Sequence, residues 1–574
     1  MSVEHQSAPL IERPSFVELF TPKLATVIRE GYGFAALRAD VIAGLTVAIV
    51  ALPLSMAIAI ASGATPERGL YTAIVGGFLI SALGGSRFQI GGPAGAFIVL
   101  VASAVERHGI DGVLLATLVA GIFLMIAGFL RLGTYIKFIP YPVTVGFTAG
   151  IAVIIVASQI RDLFGLSLAA KEPGEILAKI GTLAGAFDTV NPTAVGMAAL
   201  SIGIIAGIKR LRPHWPGMLI AVVVTGFATW GLALQVETIG SRFGGIPSTF
   251  PMPHLPVFSL AKLQAVLPDA LAFALLGAIE SLLSAVVADG MTGRRHRSNC
   301  ELVAQGVANI GSALFGGLCA TGTIARTATN VRAGAHGPVA GMLHALFLLL
   351  FILLAARLAS YIPLAALAAI LATVAWNMAE KHEFMALLRS SRGDAVVLLA
   401  TFLLTVFRDL TEGIVVGFAI GAVLFINRMA GATGIEAHAP LVPSDRADKA
   451  DQRGPYDSRL ATDSEVVVYR LSGAFFFGTA STVGAVLDRI ADQRKAFVLD
   501  FSAVPFVDST AANVIAATGR KAERHGVHLF VTGATPAART ALMAAGARPP
   551  QVGYRTTIEA AVREVHETKA AAVP

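Results

Sequence analysis

Residues 91–97 read Gly-Gly-Pro-Ala-Gly-Ala-Phe, and residues 322–327 read Gly-Thr-Ile-Ala-Arg-Thr. Each stretch lies just before a long apolar run. Glycine and proline interrupt a membrane helix where the freed backbone groups face protein or a water-filled cavity. A helix that begins at such a break favours an anion through its free N–H groups and its dipole. The two stretches therefore predict two half-helices whose N-termini face each other around an anion, unless their glycines only let helices pack closely.

The composition around these breaks is that of a membrane protein. Hydrophobic residues make up 55% of the 574 residues and charged residues only 14%, whereas soluble chains carry about 25% charged residues. The apolar residues form long blocks, which indicate membrane spans. The net charge is +7, but most of the arginines and lysines lie in short loops, so membrane topology explains them and nucleic acid is not expected as a partner.

Fourteen apolar blocks can be read along the chain, and several are shorter than the roughly 20 residues that cross a bilayer. The predicted spans are 40–62, 69–84, 94–106, 112–131, 139–160, 188–208, 216–236, 267–289, 301–316, 324–335, 337–358, 361–377, 393–408 and 411–430. Two halves of seven spans place the two glycine-containing stretches at the starts of the third and tenth spans, which are equivalent positions.

The charges in the loops predict the orientation of the chain. If the N-terminus is cytoplasmic, every second loop should face inward and be basic. These loops carry Arg87; Arg131 and Lys137; Lys209, Arg210 and Arg212; Arg294, Arg295 and Arg297; Lys381, Arg389 and Arg392. The other loops carry mixed charge. The pattern predicts an even number of spans with both termini in the cytoplasm.

Two charged residues within the apolar blocks are candidates for function. Glu280 is the only carboxylate between Asp269 and Asp289, and a carboxylate at that depth must face a cavity, find a partner or be protonated. It is therefore a candidate proton or Na⁺ coupling group, and Ser284, four residues on, shares its helix face. Arg326 offers a fixed charge and planar donors to an oxyanion. The alternative is a structural ion pair between Glu280 and Arg326.

The composition changes near residue 431. We predict a cytoplasmic segment at 1–39, a transporter domain at 40–430, a polar linker at 431–463 and a soluble domain at 464–574. In the last, strands at 466–471, 496–501 and 527–532 alternate with helices at 480–490, 509–524 and 536–545, which predicts a small α/β domain. Asp508 lies where it can cap a helix, and a hydroxyl at that helix start could be phosphorylated.

Motifs for catalysis are missing from the sequence. It has no GxxxxGK[ST] phosphate loop, HExxH, paired CxxC or GxSxG, and Cys300 and Cys319 have no metal-site spacing. We therefore expect no enzyme activity, no catalytic residues, no metal site and no cofactor other than a coupling H⁺ or Na⁺.

At these residues the sequence resembles the sulfate permease (SulP) family of anion transporters, over nearly the whole chain. The residues that carry the resemblance are 40–48 and 52–57 of the first span, Gly92-Pro93-Ala94, residues 280–284, and Ala325-Arg326-Thr327. The C-terminal region resembles the STAS domain (sulfate transporter and anti-sigma antagonist), with residues 507–510 at its signature turn.

The resemblance implies fourteen spans in two inverted repeats of seven, like the uracil permease fold, and a homodimer in which a core domain moves as an elevator against a gate domain. It implies that the substrate lies between the third and tenth spans, and that Glu280 and Ser284 correspond to the family's coupling-ion position. The residues this assigns to the substrate are Ala94, Gly95, Ala96, Phe97, Ile324, Ala325 and Arg326. Ser509 and Thr510 match the phosphorylated position of soluble anti-sigma antagonists.

Two positions depart from the pattern of sulfate-type members. Leu54 stands where many of them have Gln, and Ala325 where relatives often have Ser. We expect H⁺-coupled import of a small oxyanion or carboxylate, with sulfate as the family default. The alternatives are Na⁺-coupled bicarbonate transport, H⁺-coupled dicarboxylate transport, or a membrane-anchored STAS signalling module. We also expect a location in the bacterial inner membrane and a nucleotide or protein ligand of the STAS domain.

Overall fold

The computed structural model describes residues 15–136, 140–168, 172–173, 176–212, 215–408, 410–431, 434–437, 466–475 and 496–570. The chain divides into two compact units, Met1–Phe418 and Ala419–Pro574. The first unit is helical apart from two very short strands, and the second contains a five-stranded sheet.

The membrane region is built from helices α1 to α20, numbered in chain order. They are α1 (Phe16–Phe20), α2 (Lys23–Glu30), α3 (Phe34–Ala61), α4 (Pro66–Tyr71), α5 (Gly77–Leu83), α6 (Ile98–Phe129), α7 (Gly133–Ile136), α8 (Tyr141–Phe164), α9 (Ile176–Gly185), α10 (Pro192–Leu211), α11 (Gly217–Gly231), α12 (Ile239–Phe243), α13 (Leu260–Thr292), α14 (Ser298–Leu314), α15 (Ile324–Arg332), α16 (Val339–Ala355), α17 (Leu364–Met378), α18 (Lys381–Ser390), α19 (Arg392–Phe407) and α20 (Leu410–Gly431). Strand β1 (Gly91–Gly92) precedes α6, and β2 (Thr321–Gly322) precedes α15.

Within the described residues, seven helical segments are long and apolar enough to cross a membrane. They are Phe34–Ala61, Gly95–Phe129, Tyr141–Phe164, Pro192–Leu211, Leu260–Thr292, Val339–Tyr361 and Leu364–Arg389. Each of the fourteen predicted spans falls on a helix or on part of one. Some of these helices are too short to cross alone, and α15 (Ile324–Arg332) is one of them, as the sequence predicts for the segment that begins near 324.

Two predicted spans are joined in one long helical element. The predicted spans 94–106 and 112–131 both lie in α6, which breaks at Gly109, where φ is 67° and ψ is −179°. Glycine populates such a left-handed φ without steric cost. Another irregular region joins α4 to α5 through a π-helical turn at Thr72–Gly76, and such wide turns are frequent at functional sites.

Small residues set the helix packing. In one group of helices α6 packs along α13 and α14, and α3 packs along α16. A Cβ atom on Gly121 would lie 2.6 Å from the carbonyl oxygen of Gly306, and one on Gly306 would lie 2.5 Å from that of Gly121. Only glycine allows α6 and α14 to approach this closely. In a second group α8 packs against α17 and α19, and α10 against α11 and α17.

The sheet of the second unit has the order β3-β4-β5-β6-β7. Its first strand pair is antiparallel and the other three pairs are parallel. The strands are β3 (Gly434–Ala437), β4 (Val466–Ser472), β5 (Ala496–Ala503), β6 (His528–Thr532) and β7 (Gly553–Arg555). Helices α21 (Ser509–Arg524), α22 (Pro536–Ala544) and α23 (Ile558–Ala570) accompany the sheet.

The central strand β5 is buried along most of its length, which explains why its sequence is an apolar run rather than an alternating one. Strand β3 lies inside the segment 431–463 that the sequence predicts to be a linker, and it pairs with β4. Residues 438–465 and the predicted helix at 480–490 lie outside the described residues.

Candidate functional site

The two glycine-containing stretches meet as a short antiparallel pair. Gly91 pairs with Gly322, and Gly92 pairs with Thr321. Just after these strands, a 3-10 turn at Gly95–Phe97 leads into α6, and α15 begins at Ile324. The first turn of each helix leaves N–H groups without an intrahelical partner. The pairing therefore brings two helix N-termini together at one place, as the sequence predicts.

Hydrogen bonds fix the backbone that leads into this pair. The N–H of Ile90 donates to the hydroxyl of Thr327 over 3.1 Å, and the N–H of Thr323 donates to the carbonyl of Ile90 over 3.0 Å. The amide of Gln89 donates to the hydroxyl of Ser281 on α13 over 2.9 Å. The two bonds of Ile90 extend the contact between the two half-helices beyond the two-residue strands, and the bond of Gln89 joins this region to α13.

Arg326 is the largest fully buried side chain in the described part of the protein. Its Nη2 donates to the hydroxyl of Ser55 over 3.1 Å and to the carbonyl oxygen of Pro93 over 3.2 Å. Its Nε and Nη1 are buried and have no hydrogen-bond partner. A Cβ on Gly92 would lie 2.2 Å from Nη1, so a larger residue there would require the guanidinium or the backbone to shift. The guanidinium thus holds the start of the third span through its bond to Pro93, and its Nε and Nη1 groups remain without a hydrogen-bond partner.

Glu280 is oriented by its neighbours on α13. The carbonyl of Gly277 accepts a hydrogen bond from Thr321 over 3.2 Å, and the hydroxyl of Ser284 donates to that of Thr327 over 3.0 Å. Residues three and four apart share a helix face, so Glu280 lies between these two contacts and faces the tenth-span segment. Its Oε2 is buried and has no hydrogen-bond partner.

The structure does not form the alternative ion pair between Glu280 and Arg326. Among the described residues, the partners of the Arg326 guanidinium are Ser55 and Pro93, and no salt bridge joins it to Glu280. Both charged side chains therefore keep unpartnered polar atoms inside the same region, which a purely structural ion pair would not leave.

The predicted substrate residues divide into two sets by exposure. Ala94 and Ala96 are buried, and Phe97 is buried with its ring 6.0 Å from that of Phe273. Ile324 and Ala325 are exposed. Gly95 is half-buried, and a Cβ there would lie 3.4 Å from Ile155 on α8 and 3.7 Å from Met378 on α17. Ile324 and Ala325 thus form the open side of the paired helix starts. Helices α8 and α17 lie close to Gly95, at the start of the third span.

Sequence reasoning missed the polar residues that hold this arrangement. Ser55, Gln89, Ser281 and Thr327 each bond across it. Each is a polar residue inside or beside an apolar block, which is the signal that could have identified it. No group of three or more His, Cys, Asp or Glu side chains within the described ranges could hold a metal ion.

In the second unit Asp508 caps α21, because its Oδ1 accepts a hydrogen bond from the N–H of Ala511 over 2.8 Å. The main chain of Ser509 and Thr510 forms the first turn of that helix. Burial raises the pKa of Asp500, but hydrogen bonds from Arg470 and from Ser502 outweigh it and hold the pKa of that carboxyl below its ordinary value. The Arg470 bond joins Nε to Oδ2 over 2.8 Å.

Comparison with known proteins identifies both parts of the chain. Residues 37–401 match the sulfate permease family, and residues 458–561 match the STAS domain. The chain is 39% identical, over 88% of its length and 93% of the relative's, to a putative sulfate transporter, YvdB, of Bacillus subtilis. It is 32% identical, over 88% of its length and 89% of the relative's, to the bicarbonate transporter BicA of a Synechocystis strain.

A solved structure supports the fold. The structure of the anion transporter SLC26A9 superposes with a TM-score of 0.82, at 18% identity, and the match covers 95% of this chain and 94% of that one. The predicted fold class, a polytopic helical membrane domain followed by an α/β STAS domain, is thereby confirmed. So is the expectation of a transporter rather than an enzyme, because the relatives are transporters. The chain belongs to the sulfate permease family of multi-pass membrane anion transporters and carries a C-terminal STAS domain.

Proposed function

We propose that this protein imports a small oxyanion together with protons, with sulfate as its first candidate substrate. The observation that carries the proposal is the paired start of α6 and α15 with Arg326 behind it. Two helix N-termini and a buried guanidinium with free donors concentrate positive potential at one place. The relative YvdB, at 39% identity, is described as a putative sulfate transporter, which favours sulfate over the other anions.

The anion would bind on the open side of the pair, at the N–H groups of Gly95, Ala96, Ile324 and Ala325. Arg326 would act on it from behind through its charge and its Nε and Nη1 donors. Ala94 and Phe97 would line the buried side. The exposed positions offer no side-chain hydroxyl or charge, so recognition would rest on backbone dipoles and on Arg326, and would suit several anions of similar size.

Glu280 would couple the anion to the proton gradient. It faces the tenth-span segment from α13 and has an unpartnered buried oxygen, and a carboxylate in such a place is stabilised by taking up a proton. Ser284 would assist by holding Thr327, and with it α15, beside Glu280. Movement of the α3, α6, α13–α16 group against the α8, α10, α11, α17, α19 group, as in an elevator, would expose the site to each side in turn.

A second candidate is Na⁺-coupled bicarbonate transport. The relative that favours it is the Synechocystis bicarbonate transporter, at 32% identity. Leu54 and Ala325, the two departures from the sulfate-type pattern, count against sulfate. In that case Glu280 and the hydroxyl of Ser284 would hold the sodium ion.

The proposal includes the setting of the protein. The alternating basic loops favour a cytoplasmic position for both termini, and the protein would lie in the bacterial inner membrane. From the family we also expect that the protein forms a homodimer and that its STAS domain binds a nucleotide or a protein.

Uptake of labelled anion into proteoliposomes tests the proposal. Sulfate, bicarbonate and succinate are each offered with an inward proton gradient, with a Na⁺ gradient or with neither. We expect sulfate to accumulate with the proton gradient alone, and Glu280→Gln to abolish accumulation while permitting exchange. Glu383→Gln, which neutralises an exposed carboxylate on α18, is the matched control and should behave as wild type. Accumulation that persists in Glu280→Gln, or that follows Na⁺, would refute proton coupling through Glu280.

A further inference from the structure

His344 is a buried titratable side chain of the membrane region that the mechanism above does not use. It lies in the second turn of α16 and is fully buried. Neither ring nitrogen has a hydrogen-bond partner. A neutral imidazole carries one donor and one acceptor, and burying both without partners is unfavourable. Most buried polar groups are satisfied, so an exception calls for an explanation.

The ring lies close to the strand pair that forms the anion site. A Cβ on Gly77 would lie 3.9 Å from Cε1 of His344 and 2.9 Å from the carbonyl oxygen of Gly91. The ring and the Gly91 carbonyl therefore border the same small space. The next residue, Gly92, is the one whose Cβ would meet Arg326. His344 and Arg326 thus approach two adjacent residues of one strand.

The charged groups around His344 are few. From α3 the nearest is Asp40, whose Oδ1 already accepts hydrogen bonds from the N–H groups of His336 and Gly337. The described helix from Thr72 to Leu83, which packs against α16, has no titratable side chain. Arg357 lies in the 3-10 turn after α16, more than three helical turns away along the chain. From α15, the charged side chain that approaches this strand is Arg326, which a Cβ on Gly92 would meet.

This arrangement links the charge of His344 to the occupancy of the anion site. While Arg326 has no anion beside it, its positive charge opposes a second positive charge on the ring. A bound anion would compensate the guanidinium, and an imidazolium would then add a favourable charge and a second donor. Such linkage is reciprocal: if the anion promotes protonation, the proton tightens anion binding.

We propose that His344 is a proton-binding residue that becomes charged when an anion binds beside Arg326, so that the protein takes up a proton at this site with each anion. The inference rests on the proposed anion site. It adds to that proposal a proton site distinct from Glu280, on a different helix and on the Arg326 side of the strand pair.

Calorimetry on the full-length protein in detergent tests this inference. Sulfate, bicarbonate and succinate are each titrated between pH 6.5 and 8 in two buffers that differ in ionisation enthalpy, and the anion's own ionisation is subtracted. For an anion whose binding requires Arg326, His344→Asn should still bind it but take up about one proton fewer per anion. A linkage of one proton corresponds to about a tenfold change in affinity per pH unit, and His344→Asn should lose that change.

The control is His336→Asn, which removes an exposed histidine just before the same helix and should keep wild-type proton uptake. Unchanged proton uptake in His344→Asn, with Arg326-dependent binding intact, would overturn this inference alone. If no anion binds in a way that depends on Arg326, the proposed function fails and this inference fails with it.

A spectroscopic readout does not depend on the variant folding. In wild-type protein labelled with ¹⁵N-histidine, addition of the anion should convert one histidine from the neutral ring to imidazolium. His344→Gln, tried beside His344→Asn, should remove that signal. A spectrum in which no histidine changes its protonation on anion addition would also overturn the inference.

Discussion

The guanidinium of Arg326 donates a hydrogen bond of 3.2 Å to the main-chain carbonyl of Pro93. Pro93 lies just before the third-span half-helix and Arg326 lies in the tenth-span half-helix, 233 positions away in the sequence. The same nitrogen donates to Ser55 of α3. Arg326 therefore ties three spans together at the candidate anion site, in addition to supplying charge there.

Arg326→Lys should separate the charge of this residue from its geometry. Lysine keeps the charge but is a compact donor that cannot reproduce the planar fork. Hydrogen bonds to charged groups contribute about 1.5–3 kcal/mol, which corresponds to roughly 10- to 100-fold in affinity. We expect Arg326→Lys to raise the KM for the transported anion about tenfold, and Arg326→Ala to raise it further. Initial uptake rates at varied anion concentration measure this; a wild-type KM in both variants would contradict it.

Ser284→Ala should distinguish the two coupling ions. The hydroxyl of Ser284 donates to Thr327, so proton coupling through Glu280 does not require it, whereas a bound Na⁺ would use its oxygen as a ligand. We expect Ser284→Ala to lower the transport rate modestly, because a hydrogen bond of about 1 kcal/mol is lost, and to keep accumulation driven by the proton gradient. Retained exchange with lost accumulation would instead favour Na⁺ at this position.

Much of the membrane fold could be predicted because its signal is local. Long apolar blocks mark the helices, and glycine with proline marks the two breaks near 92 and 322. The partners of Arg326 could not be predicted in this way, because Ser55 and Pro93 reach it only through packing. The sequence suggests Glu280 as an ion-pair partner, since it is a carboxylate within an apolar block, but Arg326 bonds to Ser55 and Pro93 instead, and Oε2 of Glu280 has no hydrogen-bond partner.

In the soluble domain, too, elements that depend on contacts with distant residues could not be predicted from the sequence. Buried strands such as β5 are apolar runs, so the sequence predicts their position: the predicted strand 496–501 lies within β5 (Ala496–Ala503). Strands β3 and β7 have four and three described residues, too few to show an alternating pattern. Each of these elements is fixed by pairing with the sheet or packing on it rather than by its own sequence.

Gly92→Ala should disable the site through a single methyl group. The added Cβ would lie 2.2 Å from Nη1 of Arg326, so we expect the guanidinium to shift from the position in which its Nη2 bonds to Ser55 and Pro93. We expect at least a tenfold loss of anion uptake, since a small displacement of a positioning group is costly. The matched control is Gly196→Ala in α10, where a Cβ would meet nothing within 4 Å. Wild-type uptake by Gly92→Ala would show that the position of Arg326 is not critical.

Asp500→Asn should destabilise the STAS domain in a pH-dependent way. Burial raises the pKa of Asp500, but the hydrogen bonds from Arg470 and Ser502 lower it by more. The net pKa therefore lies below the ordinary value of about 3.9. A carboxyl whose pKa is depressed by folding contributes stability above its unfolded pKa, and that contribution disappears as the pH falls through the folded value. The variant should therefore be less stable than wild type at pH 7, and the difference should shrink below about pH 4.

Amide hydrogen exchange of β4 and β5 peptides in the full-length protein measures this difference in stability. The control is Glu559→Gln, at an exposed position in α23. Equal protection of wild type and Asp500→Asn at pH 7 would show that the Arg470–Asp500 pair adds no net stability to the sheet.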